Sequence, residues 1–374
     1  MYPSLLLALL AISTKHVLGE KHHLYSGFFS GSQLYGIQFD DETSTLTVVN
    51  NITTNSSDGS KWIAIDERRE NVYVASGASY NSYTITSSLG LTLASNLTIS
   101  DTCANLNHIA SSSSSPYTVF GAPYSTGCSG QAITVDQSGA LKAIVGSITY
   151  GNSSGVHGLA VDTDGTFIYS ADDMGDAVWV HSFDKTTGAV EEVQYLAAPR
   201  GANPRHLAVH PRGNYVYVVY EKANQLAVYS RDASTGKLTY TNTTYPLIPS
   251  GYTNTSSYWS DEVAFSVSSA ESPKYLFAST RSIISTSSPG YVTAFSLDAT
   301  TGAIQEQLFL SQTTGSGGSA NSVSPAIFSE DYFAITDSGS NFTEVWQVSA
   351  DGSAATVVAH LDLDNGPANV VWYS

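Results

Sequence analysis

Charge is scarce in this chain, and cationic charge is scarcest. Of 374 residues only 13% are Asp, Glu, Lys or Arg, against about 25% in an ordinary soluble domain. The 15 basic residues face 32 acidic ones, for a net charge of −17. Nucleic acid and anionic membrane surfaces reward Lys and Arg, so this balance excludes both as partners. Cysteine is nearly absent: Cys103 and Cys128 stand alone, which rules out a disulfide-dense scaffold and any Cys-x-x-Cys zinc site. In an oxidising compartment the two would close one loop; otherwise they are two separate buried thiols. Beyond the first residues no apolar run could cross a bilayer. No Ser-His-Asp order or nucleophile elbow is identified, and a covalent serine is not expected.

What the chain has in quantity is tyrosine, 23 copies, with 30 glycines and many Ser and Thr between short apolar runs. The stretch from Asn203 to Leu238 holds three period-two runs, His206–His210, Tyr215–Tyr220 and Gln225–Ser230, each bounded by turn residues; a fourth, Leu238–Asn242, completes a four-stranded meander. Val156 to Val190 repeats the pattern about 48 residues upstream. SDEVAFSV, KYLFASTR and YVTAFSLDATTGAI repeat it downstream. A period of roughly 40 to 50 residues with four strands marks a β-propeller. Seven units fill the chain, giving an all-β, seven-bladed β-propeller. The tail from Asn365 is a strand without a partner of its own, expected to close the ring by pairing with the first blade.

Met1 to about Gly19 runs through apolar Leu5–Ile12 to a small-residue end at Val17-Leu18-Gly19. It is too short for an anchor and reads as a signal peptide, residues 1–19, leaving residues 20–374 as one secreted domain. Asn-x-Ser/Thr sequons at Asn51, Asn55, Asn96, Asn152, Asn242, Asn254 and Asn341 fit a glycoprotein. The insertion Tyr245–Trp259 is either a lid or a glycosylated surface loop.

Successive antiparallel strands reverse direction, so the start of a blade's first strand and the end of its second share one rim. Superposing the repeats puts Lys61, His157, Asp173, Arg205, Glu221, Asp261, Arg281 and Asp337 around that mouth. Arginine offers a planar fork for carboxylates, so Arg205 and Arg281 read as clamps for a small anion, with Lys61 and Asp173 as further binding groups. His157 and Glu221 are the acid/base candidates. Two arginines oppose a cation site, so neither metal nor cofactor is expected. His206 follows Arg205 in an alternating strand and should face away from it, in a structural role. His108 is a weaker rim candidate in the irregular third unit.

NPRHLAVHPRGNYVYVVYE, VHGLAVDTDGTFIYSADD and the repeated Thr-Gly turns resemble the seven-bladed lactonase propellers, which include bacterial 6-phosphogluconolactonases. The opening HHLYSGFF, the segment DEVAFSV…LFASTRS and the closing ANVVWY are similar to the fungal carboxy-cis,cis-muconate cyclases. That resemblance implies a site of His157, Arg205, Glu221 and Arg281. It also implies reversible lactonisation of 3-carboxy-cis,cis-muconate, in which a carboxylate oxygen adds across a double bond and the adjacent carbon is protonated; the expectation is therefore this reaction, on that substrate or a related small polycarboxylate, without metal. The alternatives are a secreted lactonase that hydrolyses a sugar or other lactone, and a secreted glycoprotein without catalysis.

Overall fold

The computed structural model describes residues 19–252, 255–267 and 272–374. The expected leader, apart from Gly19, and the sequon residue Asn254 lie outside the described residues. Seven four-stranded antiparallel sheets are arranged as the blades of a propeller. Their innermost strands are Trp62–Ile65, Leu106–Ser111, Val156–Val161, Pro204–Val209, Tyr258–Phe265 and Val323–Pro325 for blades two to seven, and Pro367–Trp372 for blade one.

The middle strands read as nearly unbroken apolar and aromatic runs because both of their faces are buried. In blade five, Val216, Val218 and Tyr220 pack toward blade four with Tyr169 and Val178. Tyr217 and Val219 pack toward blade six with Val263 and Leu276. Seven such wedges, one between each pair of neighbouring blades, replace a single central core. Outer strands such as Val190–Ala197 have no buried residue and carry the charged groups Glu191 and Glu192. The abundant tyrosines also link blades: Tyr73, Tyr169 and Tyr217 donate from their middle strands to the Gly139, Gly236 and Gly302 carbonyls in turns of the following blade. The turns ending at Gly188, Gly236 and Gly302 repeat one chemistry, in which Asp184, Asp232 and Asp298 accept from the backbone N–H groups two and three residues on. The glycine ending each of the three turns, Gly188, Gly236 or Gly302, sits at positive φ.

Ring closure is as the repeat requires. Pro367–Trp372 pairs antiparallel with Lys21–Phe28 and becomes the innermost strand of blade one. The Asn369 side chain exchanges two hydrogen bonds with the Ile63 backbone, tying blade one to blade two around the channel.

Cys103 and Cys128 form a disulfide with a Cα–Cα separation of 5.9 Å. It joins the turn before the inner strand of blade three to the loop after Val119–Pro123. Closing a loop of 25 residues restricts the unfolded chain by about 3–4 kcal/mol. A Cys103→Ser/Cys128→Ser variant is therefore expected to lose about that much stability in denaturant melts, while a reductant no longer affects it. The asparagines of the six described sequons are all exposed. The insertion before blade six is held at both ends: Leu247 and Ile248 are buried, and Tyr252 and Tyr258 cluster with Tyr291.

Candidate functional site

Four innermost strands carry the same irregularity at the same end. The ladders slip between Leu106 and His108, between Val156 and Gly158, between Pro204 and Leu207, and between Ser260 and Val263. Each slip inserts one extra residue and re-aims the side chains beside it. The channel thus acquires two layers at these blades: an upper one with Asn107, His157, Arg205 and Asp261, and a lower one with His108, His206 and Glu262.

Asn107, His157 and Arg205 of the upper layer line a chamber of about 260 Å³ together with Lys61, Trp62, Asn105, Tyr124, Arg281 and Ser319. Pockets of about 300–1,000 Å³ hold drug-sized ligands, so this one suits a smaller molecule. At its base Arg205 is engaged on every side. Its Nε lies 2.8 Å from Asp261 Oδ1, and its Nη1 lies 2.9 Å from Glu221 Oε1 and 2.7 Å from His157 Nε2. Arg281 Nη2 donates to the same Glu221 oxygen at 2.7 Å, and its Nη1 to the Ser319 carbonyl at 2.7 Å. Arg281 also stacks on Trp259, with 5.1 Å from Cζ to the ring centre. Among the described residues its Nε–H has no hydrogen-bond partner. Glu221 and Asp261 largely neutralise the two guanidiniums, so these offer a ligand oriented N–H groups more than net charge.

A lactonase family model, "Lactonase, 7-bladed beta-propeller", matches residues 23–320. The chain belongs to this family. The lactonase propeller is 30% identical to the carboxy-cis,cis-muconate cyclase of Neurospora crassa over 94% of this chain and 99% of that one. It is 30% identical to muconate cycloisomerase 1 of Cutaneotrichosporon cutaneum over 61% of this chain and 62% of that one. Among solved structures, the periplasmic gluconolactonase of Pseudomonas aeruginosa superposes with a TM-score of 0.77 at 16% identity, covering 94% of this chain and 99% of that one; this likeness concerns the fold.

Of the residues singled out from the lactonase propeller's sequence, Lys61, His157, Arg205 and Arg281 meet in the chamber. Lys61 Nζ donates to Asn105 at 2.6 Å. Glu221 stands behind the guanidiniums, 3% exposed, and does not line the chamber. Asp173 is one step further out, accepting from the Tyr124 hydroxyl, and Tyr124 presents its ring edge to His157. Asp337 is not a rim group: both its oxygens are taken up by the Gly317, Gly339 and Ser340 N–H groups.

Two histidine placements are corrected as well. His206 does not face away from Arg205; the slip turns both toward the channel, and His206 Nε2 lies 3.0 Å from His157 Nδ1. Gly158 makes room for it, since a Cβ there would sit 2.4 Å from the His206 ring. In blade three the rim place belongs to Asn107, while His108 is in the lower layer, stacked on Trp62. Asn105, Asn107 and Tyr124 were missed because they lie in the irregular third unit, where the repeat gives no register; Trp62 and Trp259, in the inner strands of blades two and six, were missed as well. Gly151-Asn-Ser-Ser-Gly155 does match the nucleophile-elbow pattern, which the sequence reading overlooked. It forms a turn leading into Val156–Val161, not a strand-to-helix elbow.

Burial decides the protonation of the imidazoles. His157 is held well below the ordinary histidine value, first by burial and then by the Arg205 charge. His206 is pushed down to about 3 for the same reasons. His108 is lowered by burial and by His206. Glu262 is raised well above the usual carboxyl range by burial and by Asp261. Burial and Asp58 act oppositely on Lys61, and burial prevails, lowering it.

The unfolded chain protonates three histidines below about pH 6.5 that the native site keeps neutral, so their stabilisation is lost as pH falls. Glu262 has the opposite sign: its stabilisation is present below about pH 4.5 and is lost as pH rises toward its raised native value. Three against one leaves about two protons. The site's share of unfolding free energy is thus expected to drop by about 3 kcal/mol per pH unit between about pH 6 and 4.5, at about 1.4 kcal/mol per proton. Urea melts across that range check the slope, and a flat profile would mean that the imidazoles are charged.

Proposed function

We propose that this lactonase-family chain is a secreted enzyme that closes 3-carboxy-cis,cis-muconate, or a closely related small polycarboxylate, to its lactone. The observation that carries the reading is the meeting of His157, Arg205, Arg281 and Lys61 in one small chamber, together with the 99% coverage of the Neurospora cyclase. The free donors of Arg281 and the ammonium of Lys61 receive the carboxylates. Arg205 is held by two carboxylates at a fixed place and directs an N–H at the oxygen where enolate-like charge develops, a preorganised arrangement that needs no movement during reaction. His157 moves the proton, because it faces the chamber. Glu221 positions the two arginines. The attacking oxygen forms the new C–O bond, the double-bond electron pair passes to the neighbouring carbon, and that carbon takes one proton.

Lactone hydrolysis, with water as nucleophile, is the second reading, favoured by the fold shared with a gluconolactonase. Incubation with 3-carboxy-cis,cis-muconate should bleach the diene absorbance, and Arg281→Ala should raise KM. An unchanged diene signal with hydrolysis of a lactone panel would select the second reading; inertness toward both would leave a non-catalytic glycoprotein.

A further inference from the structure

The channel below the site is not empty passage. A second chamber of about 360 Å³ opens on the opposite side, walled by apolar residues including Ile63, Ile109, Val323 and Val370, and reaching His108 and Glu262. Trp62 lines both chambers. Between them sits His206, 1% exposed, packed against His157, His108 and Trp62 at 4.9, 5.3 and 4.7 Å between ring centres. Its Nε2 lies 3.0 Å from His157 Nδ1, and its Nδ1 lies 2.5 Å from Glu262 Oε2, within ion-pair distance but not aligned as a hydrogen bond. Three titratable groups thus run in a line from one chamber to the other.

Hydrogen-bond valence gives the line a direction. A guanidinium can only donate, so Arg205 makes His157 Nε2 an acceptor and places the ring proton on Nδ1. His157 then donates to His206 Nε2, and His206 carries its own proton on Nδ1, facing Glu262. The proposed chemistry needs such a path. Closing a tricarboxylate to a lactone consumes one proton per turnover, and opening a lactone with water releases one. Bound substrate would itself obstruct the upper mouth.

We infer that Glu262, acting through His206, is the proton reservoir for His157 and exchanges with water through the lower chamber. The inference rests on the functional reading above for the need of a proton, but not for its geometry. In lactone opening the proton released in the chamber goes to His157 Nε2, the His157 Nδ1 proton passes to His206 Nε2, the His206 Nδ1 proton passes to Glu262, and Glu262 gives it to water in the lower chamber. Lactone closure runs the same transfers in reverse, from the opposite tautomers: Glu262 gives its proton to His206 Nδ1, the His206 Nε2 proton passes to His157 Nδ1, and His157 gives its Nε2 proton to the substrate carbon. The charged or titratable groups around Glu262 are Asp261, Arg205 and His206; those around His206 are His108, His157, Arg205, Glu221, Asp261 and Arg281. Glu262 is a positioning and supplying residue, since it does not line the upper chamber.

Two readouts test this. In wild-type protein labelled with ¹⁵N-histidine, the ring nitrogens of His157 and His206 should shift together as Glu262 titrates, and Glu262→Gln should abolish that titration and change both spectra. Independent behaviour of the two rings, or spectra unaltered by Glu262→Gln, would overturn the relay whatever the substrate. In turnover, Glu262→Gln and His206→Gln should each lower kcat by about 10²-fold, within the range of general acid–base contributions, with KM unchanged and a larger solvent deuterium isotope effect. Formate should restore part of the Glu262→Gln activity and none of the His206→Gln activity. Unchanged kcat in both variants would also refute the relay. If wild-type protein converts neither substrate class, the functional reading fails and the nuclear magnetic resonance result alone decides the relay.

Discussion

Replacing Arg205 by alanine is expected to lower turnover by about 10²–10³-fold and folding stability by about 3–5 kcal/mol. Both effects have one cause. Arg205 is 6% exposed and is a counter-ion of both Glu221 and Asp261, at 2.9 and 2.8 Å. Burial alone would lower its pKa, but Asp261 and then Glu221 outweigh that and raise it. Its removal leaves two buried carboxylates with Arg281 as the remaining cation. Arg281 reaches Asp261 only at 3.8 Å, too far for a hydrogen bond. Asp261, held below the usual carboxyl range by the two guanidiniums against its burial, would move up. Arg205→Lys keeps the charge but not the fork, so it should recover most of the stability and little of the activity. Denaturant melts and kcat/KM of the two variants separate the roles; an Arg205→Ala protein with unaltered melting would show that the ion cluster holds nothing together.

Deleting residues 366–374 is expected to have a still larger effect on stability. The deletion removes the innermost strand of blade one and every ladder bond it makes to Lys21–Phe28. It takes away buried Ala368, Val370 and Trp372, of which Val370 and Trp372 belong to the wedge between blades seven and one. Loss of a buried aliphatic or aromatic side chain costs about 2–5 kcal/mol, so two large ones and a strand exceed the whole stability of about 5–15 kcal/mol typical of a domain. The exposed edge of Lys21–Phe28 then becomes a site for association with other chains. The truncated chain should show no cooperative thermal transition and should aggregate. A melting curve within a few degrees of the full chain would contradict closure through this strand.

The fold was legible because a propeller writes itself into sequence repeatedly. Tyr215–Tyr220 and its counterparts are buried on both faces, turn glycines recur at fixed offsets, and each blade restates the last. The same register carried His157, Arg205, Arg281 and Lys61 to one mouth. It failed where the backbone breaks its alternation. One extra residue at Arg205-His206 brings two successive side chains into the channel, and the same slip exchanges Asn107 and His108. A period-two reading has no means of placing such a bulge from a single chain, because the bulged residues have no distinctive composition. Glu221 was found at the correct rim but on the far side of the guanidiniums, since register fixes height along the channel and not depth from it. Tyr124 and Asn105 come from the irregular third blade, where the Tyr124 N–H donates to the Asn105 carbonyl and the Asn105 side chain adds a second bond to the Tyr124 carbonyl; nothing in the repeat marks them.

The central claim is that the chamber between Lys61 and Arg281 receives a small polycarboxylate and presents it to His157. A crystal structure of the protein with 3-carboxy-cis,cis-muconate or its lactone measures this most directly. The account predicts density in the upper chamber, with carboxylates on Arg281 and Lys61 and the reacting carbon within reach of His157 Nε2. A ligand seated in the lower chamber or on the outer faces of the blades, with Arg205 and Arg281 untouched, would contradict it.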